Sequence, residues 1–460
     1  MKATRREFLR HVGCGAMTAA AVATGVPQLF QMNALAAPGA GDTYKALVCI
    51  FLLGGNDSNN TVIPLDDYGS YAAVRSGLTI PHDLLLPIAP PSARANFGLH
   101  PQLTLLHELW QQKRLAVVAN VGPLVVPLTP DEYRNTPSLR PYQLFSHSDQ
   151  QAEWQTSNAN GFVPTGWGGR LADLTRDSTT GFPTVASMAG LTIFSAGSTT
   201  SPLVLPPAPT ALNQALALKR PGDTADGSDL RQLVDLRLTN TAPTLIEVAA
   251  AVQAQAIHDS LALSVDPVLT TSFPNTPLGN QLKQAAKLMK LSASLGLRRQ
   301  IFFCAIGGFD THTDQGSATG TQANLLKSLS DAMGAFYDAT VELGLAAQVT
   351  TFTMSDFSRT FKPAGAGAAT GSDHAWGAHH FVLGGAVLGG DFYGTYPTLA
   401  LSGPDDTDQE SGARGRWVPT IAVDQYAATL ATWFGVAAGD LELVFPNLRH
   451  FANPNLGFLM

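Results

Sequence analysis

Charge is scarce in this chain. Asp, Glu, Lys and Arg make up 14% of its 460 residues, against 45% hydrophobic residues. So much apolar material excludes a disordered chain and supplies a large core. Basic clusters are also missing beyond the N-terminal region. Lys2, Arg5, Arg6 and Arg10 against Glu7 give residues 1–36 a net +3, so the remainder carries −10 of the total −7. A nucleic-acid binder needs a basic footprint, and no nucleic-acid partner is expected. Cysteine is nearly absent, with Cys14, Cys49 and Cys304 alone and no CxxC pair. That excludes a cysteine-type structural zinc site. Cys49 and Cys304 sit in apolar runs, where a free thiol is a packing residue; a bond between them is the alternative in an oxidising compartment. After the N-terminal region no apolar run reaches the roughly 18 residues that a membrane helix needs, so no transmembrane helix is expected in the mature protein.

The N-terminus is patterned. Thr4-Arg5-Arg6-Glu7-Phe8-Leu9-Arg10 has the paired arginines of a twin-arginine signal. An Ala/Gly-rich stretch from Val12 to Phe30 follows, then the small-x-small site Ala34-Leu35-Ala36. Charged start, apolar middle and cleavage site in that order predict a signal peptide over 1–36. The expected partner during export is the twin-arginine translocase, and the expected location is the periplasm or the medium. That route carries folded proteins, often with a metal already bound.

Residues 37–460 are expected to form one α/β domain. Apolar runs at Tyr44–Leu53, Arg114–Val121, Gln300–Ile306 and Gln348–Met354 read as strands buried on both faces, with a shorter one at Phe381–Leu383. Helical patterns at Pro101–Gln112, Gly279–Leu295 and Gln322–Leu343 alternate with them. Alternation predicts a mainly parallel central sheet flanked by helices on both faces. Residues 181–275, rich in Pro, Ser, Thr and Ala, read as an insertion or cap with two helical patterns near 227–240 and 242–262. The Gly/Ala-rich loop Pro363–Ser372 should be mobile unless something binds it.

Ligands of open parallel sheets bind beyond the carboxyl ends of the strands. There the chain places Gly54-Gly55-Asn56-Asp57, Gly307-Gly308-Phe309-Asp310-Thr311-His312 and Ser355-Asp356-Phe357-Ser358-Arg359. Asp373-His374 precedes the short run, and Ser146-His147 opens a helical pattern. Carboxylates and imidazoles together suit a divalent ion: zinc first, manganese or magnesium as alternatives. Ser146 at a helix start suits a metal-activated nucleophile. Arg359 or His147 would contact an anionic substrate. Taken singly, each residue also has an ordinary reading: Asp57 and Ser146 as caps, His147 as a hydrogen-bonded histidine, Arg359 as half of an ion pair.

The twin-arginine start followed by FLLGGNDSNNTVIP, FSHSDQQ, GGFDTHTDQ, SDFSRTFKPAG and SDHAWGAHHFVLGG, in this order, resembles the family known as DUF1501. The family is placed in the alkaline phosphatase and sulfatase superfamily. The resemblance implies an alkaline phosphatase-like α/β fold with a metal site at the carboxyl edge of the sheet. By the superfamily pattern, Asp57 matches the aspartate after the first strand, Ser146 the nucleophile, Asp310 and His312 an Asp/His pair, Asp356 a later aspartate and His374 the final histidine. The Asp310–His312 spacing is two where four is usual. Phe357 stands where dimetal enzymes have a histidine ligand, so His147 or Asp373 would substitute, or one ion would bind. The expected layout is Asp310, His312 and His374 on one ion, with Asp57 and Asp356 at a second, weaker or vacant site. Two functions follow. One is an exported metal-dependent hydrolase of small phosphate or sulfate esters. The alternative is a non-catalytic exported protein of the same fold, acting in binding or assembly at the cell surface.

Overall fold

The computed structural model describes residues 43–176, 181–216 and 244–460. The expected signal peptide and the 227–240 helical pattern lie outside the described residues. The strands, in chain order, are β1 (Lys45–Leu53), β2 (Val62–Pro64), β3 (Leu86–Ile88), β4 (Phe97–Leu99), β5 (Leu115–Gly122), β6 (Val185–Ser187), β7 (Leu203–Val204), β8 (Arg299–Gly307), β9 (Val349–Ser355), β10 (Ala378–Gly384), β11 (Phe392–Tyr393) and β12 (Ile421–Ala422). The central sheet has the order β11-β5-β10-β9-β1-β8-β6-β7, with β12 also on β5. β2, β4 and β3 form a small antiparallel sheet apart from it.

β1 shows why the apolar runs fold as they do. Its even-numbered residues Ala46, Val48, Ile50 and Leu52 enter one core, and Leu47, Cys49 and Phe51 enter the other. With side chains alternating across the strand, an unbroken apolar run fits only a strand covered on both faces. On the first face pack the helices Thr104–Gln111, Pro277–Lys290 and Thr321–Glu342; on the second pack Trp154, Trp167 and the helix Val423–Phe434. The expected helices-on-both-faces architecture is what the chain forms. Cys49 faces the second core and Cys304 the first, and both are free thiols. The strands are neighbours, but Cys49 is registered with Phe303 and Cys304 with Ile50.

Two features add detail to the expected mainly parallel sheet. β10 is antiparallel to both β5 and β9, while β1, β8, β9, β6 and β7 run parallel. The amino end of β10 therefore meets the carboxyl ends of its neighbours, and Ala378 pairs with Val121 near the end of β5. Residues ahead of β10 are thereby delivered to the same edge as residues that follow β1, β8 and β9. Second, the 181–275 segment does not simply cover the sheet. It adds β6 and β7 to the sheet's edge beyond β8, and its helix Thr244–Ala262 matches the 242–262 pattern. The Pro363–Ser372 loop is tied down by a bridge between Ala364 and Gly371 and by the Gln315 amide donating to the Thr370 carbonyl (3.2 Å).

Candidate metal centre

Four side chains from three separate stretches converge at the carboxyl edge. One donor atom each from His147, Asp310, His312 and His374 lie within 4.8 Å of one another. Asp310 and His312 belong to the loop after β8, His374 lies just ahead of β10, and His147 opens the helix His147–Thr156. Asp310 Oδ1 stands 3.4 Å from His147 Nε2, 3.2 Å from His312 Nε2 and 3.8 Å from His374 Nε2. The Nε2 atoms of His312 and His374 are 2.8 Å apart. Four donors around a tetrahedral zinc at ordinary bond lengths sit about 3.3 Å from each other, so these separations suit one ion.

What turns the imidazoles inward is visible on their far sides. His147 Nδ1 donates to Asp356 Oδ2 (2.7 Å), and His374 Nδ1 donates to the Phe145 carbonyl (2.7 Å). His312 Nδ1 faces Asp373 Oδ1 at 3.2 Å. Carbonyls and ionised carboxylates only accept, so each Nδ1 carries the proton and each Nε2 presents a lone pair. A histidine bound to metal shows this same outer partner. His147 Nε2 is buried with no hydrogen-bond partner, an orphan atom aimed at the cluster. At 2.8 Å the His312 and His374 Nε2 atoms are at hydrogen-bond distance, a spacing that either a shared proton or a bound cation satisfies.

Several devices hold the frame. Phe145 has φ +70°, a left-handed conformation costly for an aromatic residue, and it turns the carbonyl that receives His374. Asp356 is fully buried and saturated: its Oδ1 accepts from the Gly54 amide (3.1 Å), its Oδ2 from Gln151 Nε2 (2.7 Å) and from His147. Phe357 is also fully buried. Its ring lies 4.6 Å from the His374 ring and 4.8 Å from the His147 ring, an apolar backing to two donors. Gly55, at φ +83°, makes room for it, since a Cβ there would sit 2.5 Å from the Phe357 ring.

Electrostatics sharpen the site. The hydrogen bond to Asp356 is the main influence holding the His147 pKa above its usual value; partial burial opposes it. Burial pulls the His374 pKa down, with the neighbouring His147, Arg359 and His312 adding to it. Burial tends to raise the Asp310 pKa, but the hydrogen bond and charge of Arg359, with His147 and His312, hold it below the ordinary carboxylate value.

The other residues singled out in the sequence lie as follows. Asp57 is fully buried but takes no part in the cluster. Its carboxylate is ion-paired with the buried Arg75 and accepts from the Asn59 amide (3.0 Å) and Gln315 Nε2 (2.6 Å). Arg75 also donates to Asn60 Oδ1 and to the Thr360 and Phe361 carbonyls. The second ion expected at Asp57 and Asp356 therefore finds a guanidinium on one carboxylate and the Gly54, Gln151 and His147 donors on the other. Arg359 is fully buried, bonded to Asp310 and to the Phe309 and Ser372 carbonyls, so it braces the Asp310 loop from beneath. Asp373 stands behind His312 rather than among the four donors. Ser146 precedes the helix without capping it through its side chain; its Oγ donates to Asp149 Oδ2 (2.5 Å) and lies 3.2 Å from Ser148 Oγ. Sequence reasoning missed Asp149, Gln151, Arg75 and Arg414, which pairs with Asp373 (2.7 Å). An acid in a helix's first turn is the one signal that pointed to Asp149; the buried Arg75 runs against the usual exposure of arginine.

No helix among the described residues is long and apolar enough to cross a membrane. No curated protein matches the sequence. Similar solved structures include Ps i-CgsB in complex with k-i-k-neocarrahexaose (9% identity, 90% of this chain, 77% of that one, TM-score 0.36). The PsFucS1 sulfatase from Pseudoalteromonas sp. is 11% identical over 84% of this chain and 69% of that one, with TM-score 0.31. The lipoteichoic acid synthase LtaP from Listeria monocytogenes is 9% identical over 82% of this chain and 74% of that one, with TM-score 0.27. Over residues 44–407, a span that includes every residue of this cluster, the chain fits the family described as protein of unknown function (DUF1501), and it belongs to that family.

Proposed function

We propose that this is an exported, metal-dependent hydrolase of phosphate or sulfate esters, with one divalent ion held by His147, Asp310, His312 and His374. The observation that carries the reading is the set of three imidazoles with outward Nδ1 partners and inward Nε2 atoms, closed by Asp310. Zinc is the first choice, with manganese or magnesium as alternatives, because three imidazoles and a carboxylate suit a borderline ion. When bound, the ion supplies Lewis-acid stabilisation to an ester oxyanion. The protein's own residues do the rest. Asp356, Asp373 and the Phe145 carbonyl fix the imidazoles, Phe357 excludes water behind them, and Arg359 keeps Asp310 ionised and in place. Ser146 is the proposed nucleophile. Its Oγ attacks phosphorus or sulfur and its proton passes to Asp149, which hands it to the ester oxygen as the bond to that oxygen breaks and the alcohol leaves; water then attacks the same centre, its proton passing through Asp149 to the departing Ser146 Oγ. The proposed location is the periplasm or the medium, reached through the twin-arginine translocase with cleavage after Ala36.

A second reading, a non-catalytic exported protein that binds or assembles at the cell surface, draws on the donor count. Four protein donors fill a tetrahedral shell, as in structural zinc sites. Substrate then enters only if a donor yields, and Asp310, shared with Arg359 and half-exposed, is the one placed to do so. The test joins metal analysis to turnover. The purified mature protein should hold about one ion per chain, lost in His312→Ala and His374→Ala, and should cleave aryl phosphates or sulfates. Ser146→Ala should lower that rate by orders of magnitude. Metal bound without turnover of any ester moves the assignment to the second reading. Absence of bound metal in the wild type removes both metal roles.

A further inference from the structure

Beside the metal centre lies a cleft lined by Lys362, Pro363, Ala364, Asp373 and residues 411–414. Its walls are two strips of chain running side by side: the Phe361 amide donates to the Gly415 carbonyl (3.0 Å) and the Lys362 amide to the Arg414 carbonyl (2.9 Å). Asp373 is the partition between cleft and metal centre. Its Oδ1 faces His312 Nδ1 at 3.2 Å, and its Oδ2 accepts from Arg414 Nη1 at 2.7 Å. The back of one candidate metal ligand is therefore the front of the cleft.

The charges do not balance there. Arg414 is half-exposed, and it shares the Asp373 carboxylate with His312. Lys362 is exposed, and its ammonium makes no ion pair among the described residues. Among the residues lining the cleft, Lys362 and Arg414 are cationic and Asp373 alone is acidic, on a chain whose formal net charge is −7. A cleft with cationic walls concentrates anions. A guanidinium offers a planar fork to an oxyanion and an ammonium offers a compact point charge, so the pair suits a phosphate, sulfate or carboxylate group.

We propose that Lys362 and Arg414 form a subsite for a second anionic group, so that the substrate is an ester of phosphoric or sulfuric acid bearing another oxyanion. This rests on the metal-centre reading for the first anionic group. A ligand with both groups spans Asp373, one end against the His147, Asp310, His312 and His374 cluster and the other in the cleft. A simple monoester engages half of the site.

Calorimetric titration of the metal-loaded mature protein tests this, with alkane bisphosphonates of graded length as two-ended probes and alkyl monophosphonates and inorganic phosphate as one-ended probes. The best-fitting bisphosphonate should bind roughly tenfold or more tightly than the matching monophosphonate, the scale of one charge-assisted hydrogen bond. Lys362→Gln and Arg414→Gln should each remove part of that advantage, and the double variant all of it. No advantage in the wild type, or one that survives the double variant, overturns the proposal. Repeating the titrations after chelation separates the two readings. Bisphosphonate binding that stays sensitive to Lys362 and Arg414 while added metal changes nothing keeps the cleft and sinks the metal centre. Metal-dependent phosphate binding with no two-ended advantage does the reverse.

Discussion

At the scale of single residues, the site depends on what stands behind each donor. Asp356 is the clearest case, because both of its oxygens accept and nothing in its surroundings needs a donor. Asparagine there would aim an amide N–H either at the Gly54 amide or at His147 and Gln151. Asp356→Asn is expected to weaken metal binding about 10–100-fold, measured by competition with a chromogenic chelator. Acid should weaken binding in the wild type too, since protons compete for His147 Nε2 and Asp356 raises the His147 pKa. Metal affinity in the wild type should therefore fall as pH is lowered; affinity in Asp356→Asn equal to wild type would show that His147 does not bind. A second residue tests the protein's interior. Glu153 is 3% exposed, both carboxyl oxygens lack partners, and burial with the nearby Asp149 pushes its pKa to about 9. The native state then holds a proton that an unfolded chain releases above about 4.3. Stability from this group is present in acid and declines as pH rises from there toward about 9. Glu153→Gln should raise the melting temperature at mildly alkaline pH and flatten its decline. The Asp/His pairs were legible in the sequence because glycine-flanked polar residues followed apolar strands. The partners of Asp57 and His147 were not, because that of Asp57 is an arginine on a separate helix and that of His147 an aspartate 209 residues away.

At the scale of elements, apolar runs showed where strands form and said nothing of their direction. β1, β8 and β9 were readable because burial on both faces leaves an uninterrupted apolar signature. The reversal of β10 was hidden, since a short apolar stretch reads alike in either sense. β6 and β7, with three and two residues, are too short to show any period. Loop packing then sets the site to a fraction of an ångström. A Cβ on Gly371 would lie 2.3 Å from the His312 carbonyl oxygen, and one on Gly54, at φ +110°, 2.3 Å from the Asp310 amide nitrogen. These two glycines are where neighbouring loops press on the Asp310–His312 turn. Gly371→Ala should cost roughly 1–3 kcal/mol of stability by overpacking and lower metal affinity with it. Chemical denaturation and metal titration on one preparation check both; metal affinity equal to wild type would mean that the turn is positioned by other contacts.

For the whole molecule, the proposed donors are far apart in sequence, so the cluster exists only once the sheet is assembled. The Asp310–His312 turn after β8 and His374 ahead of β10 are brought together, with His147, by a sheet in which β10, β9, β1 and β8 are consecutive neighbours. This agrees with export of the protein in its folded state, the purpose that Arg5-Arg6 is proposed to serve. Replacing both arginines with lysine should leave precursor in the cytoplasm, read by fractionation and the size of the chain. Normal export of that variant would remove the twin-arginine assignment.

The pleat that sends Cys49 and Cys304 into opposite cores also works as a record of folding history. The sheet is a wall between two thiols on adjacent strands, and the native chain cannot join them without breaking it. An unfolded chain has no such wall, and in an oxidising compartment its thiols are free to couple. A molecule carrying that disulfide is covalently barred from pairing β1 with β8 in the native register. Such a species, seen as a fast-migrating band without reductant, would mark chains that met oxidant before they folded.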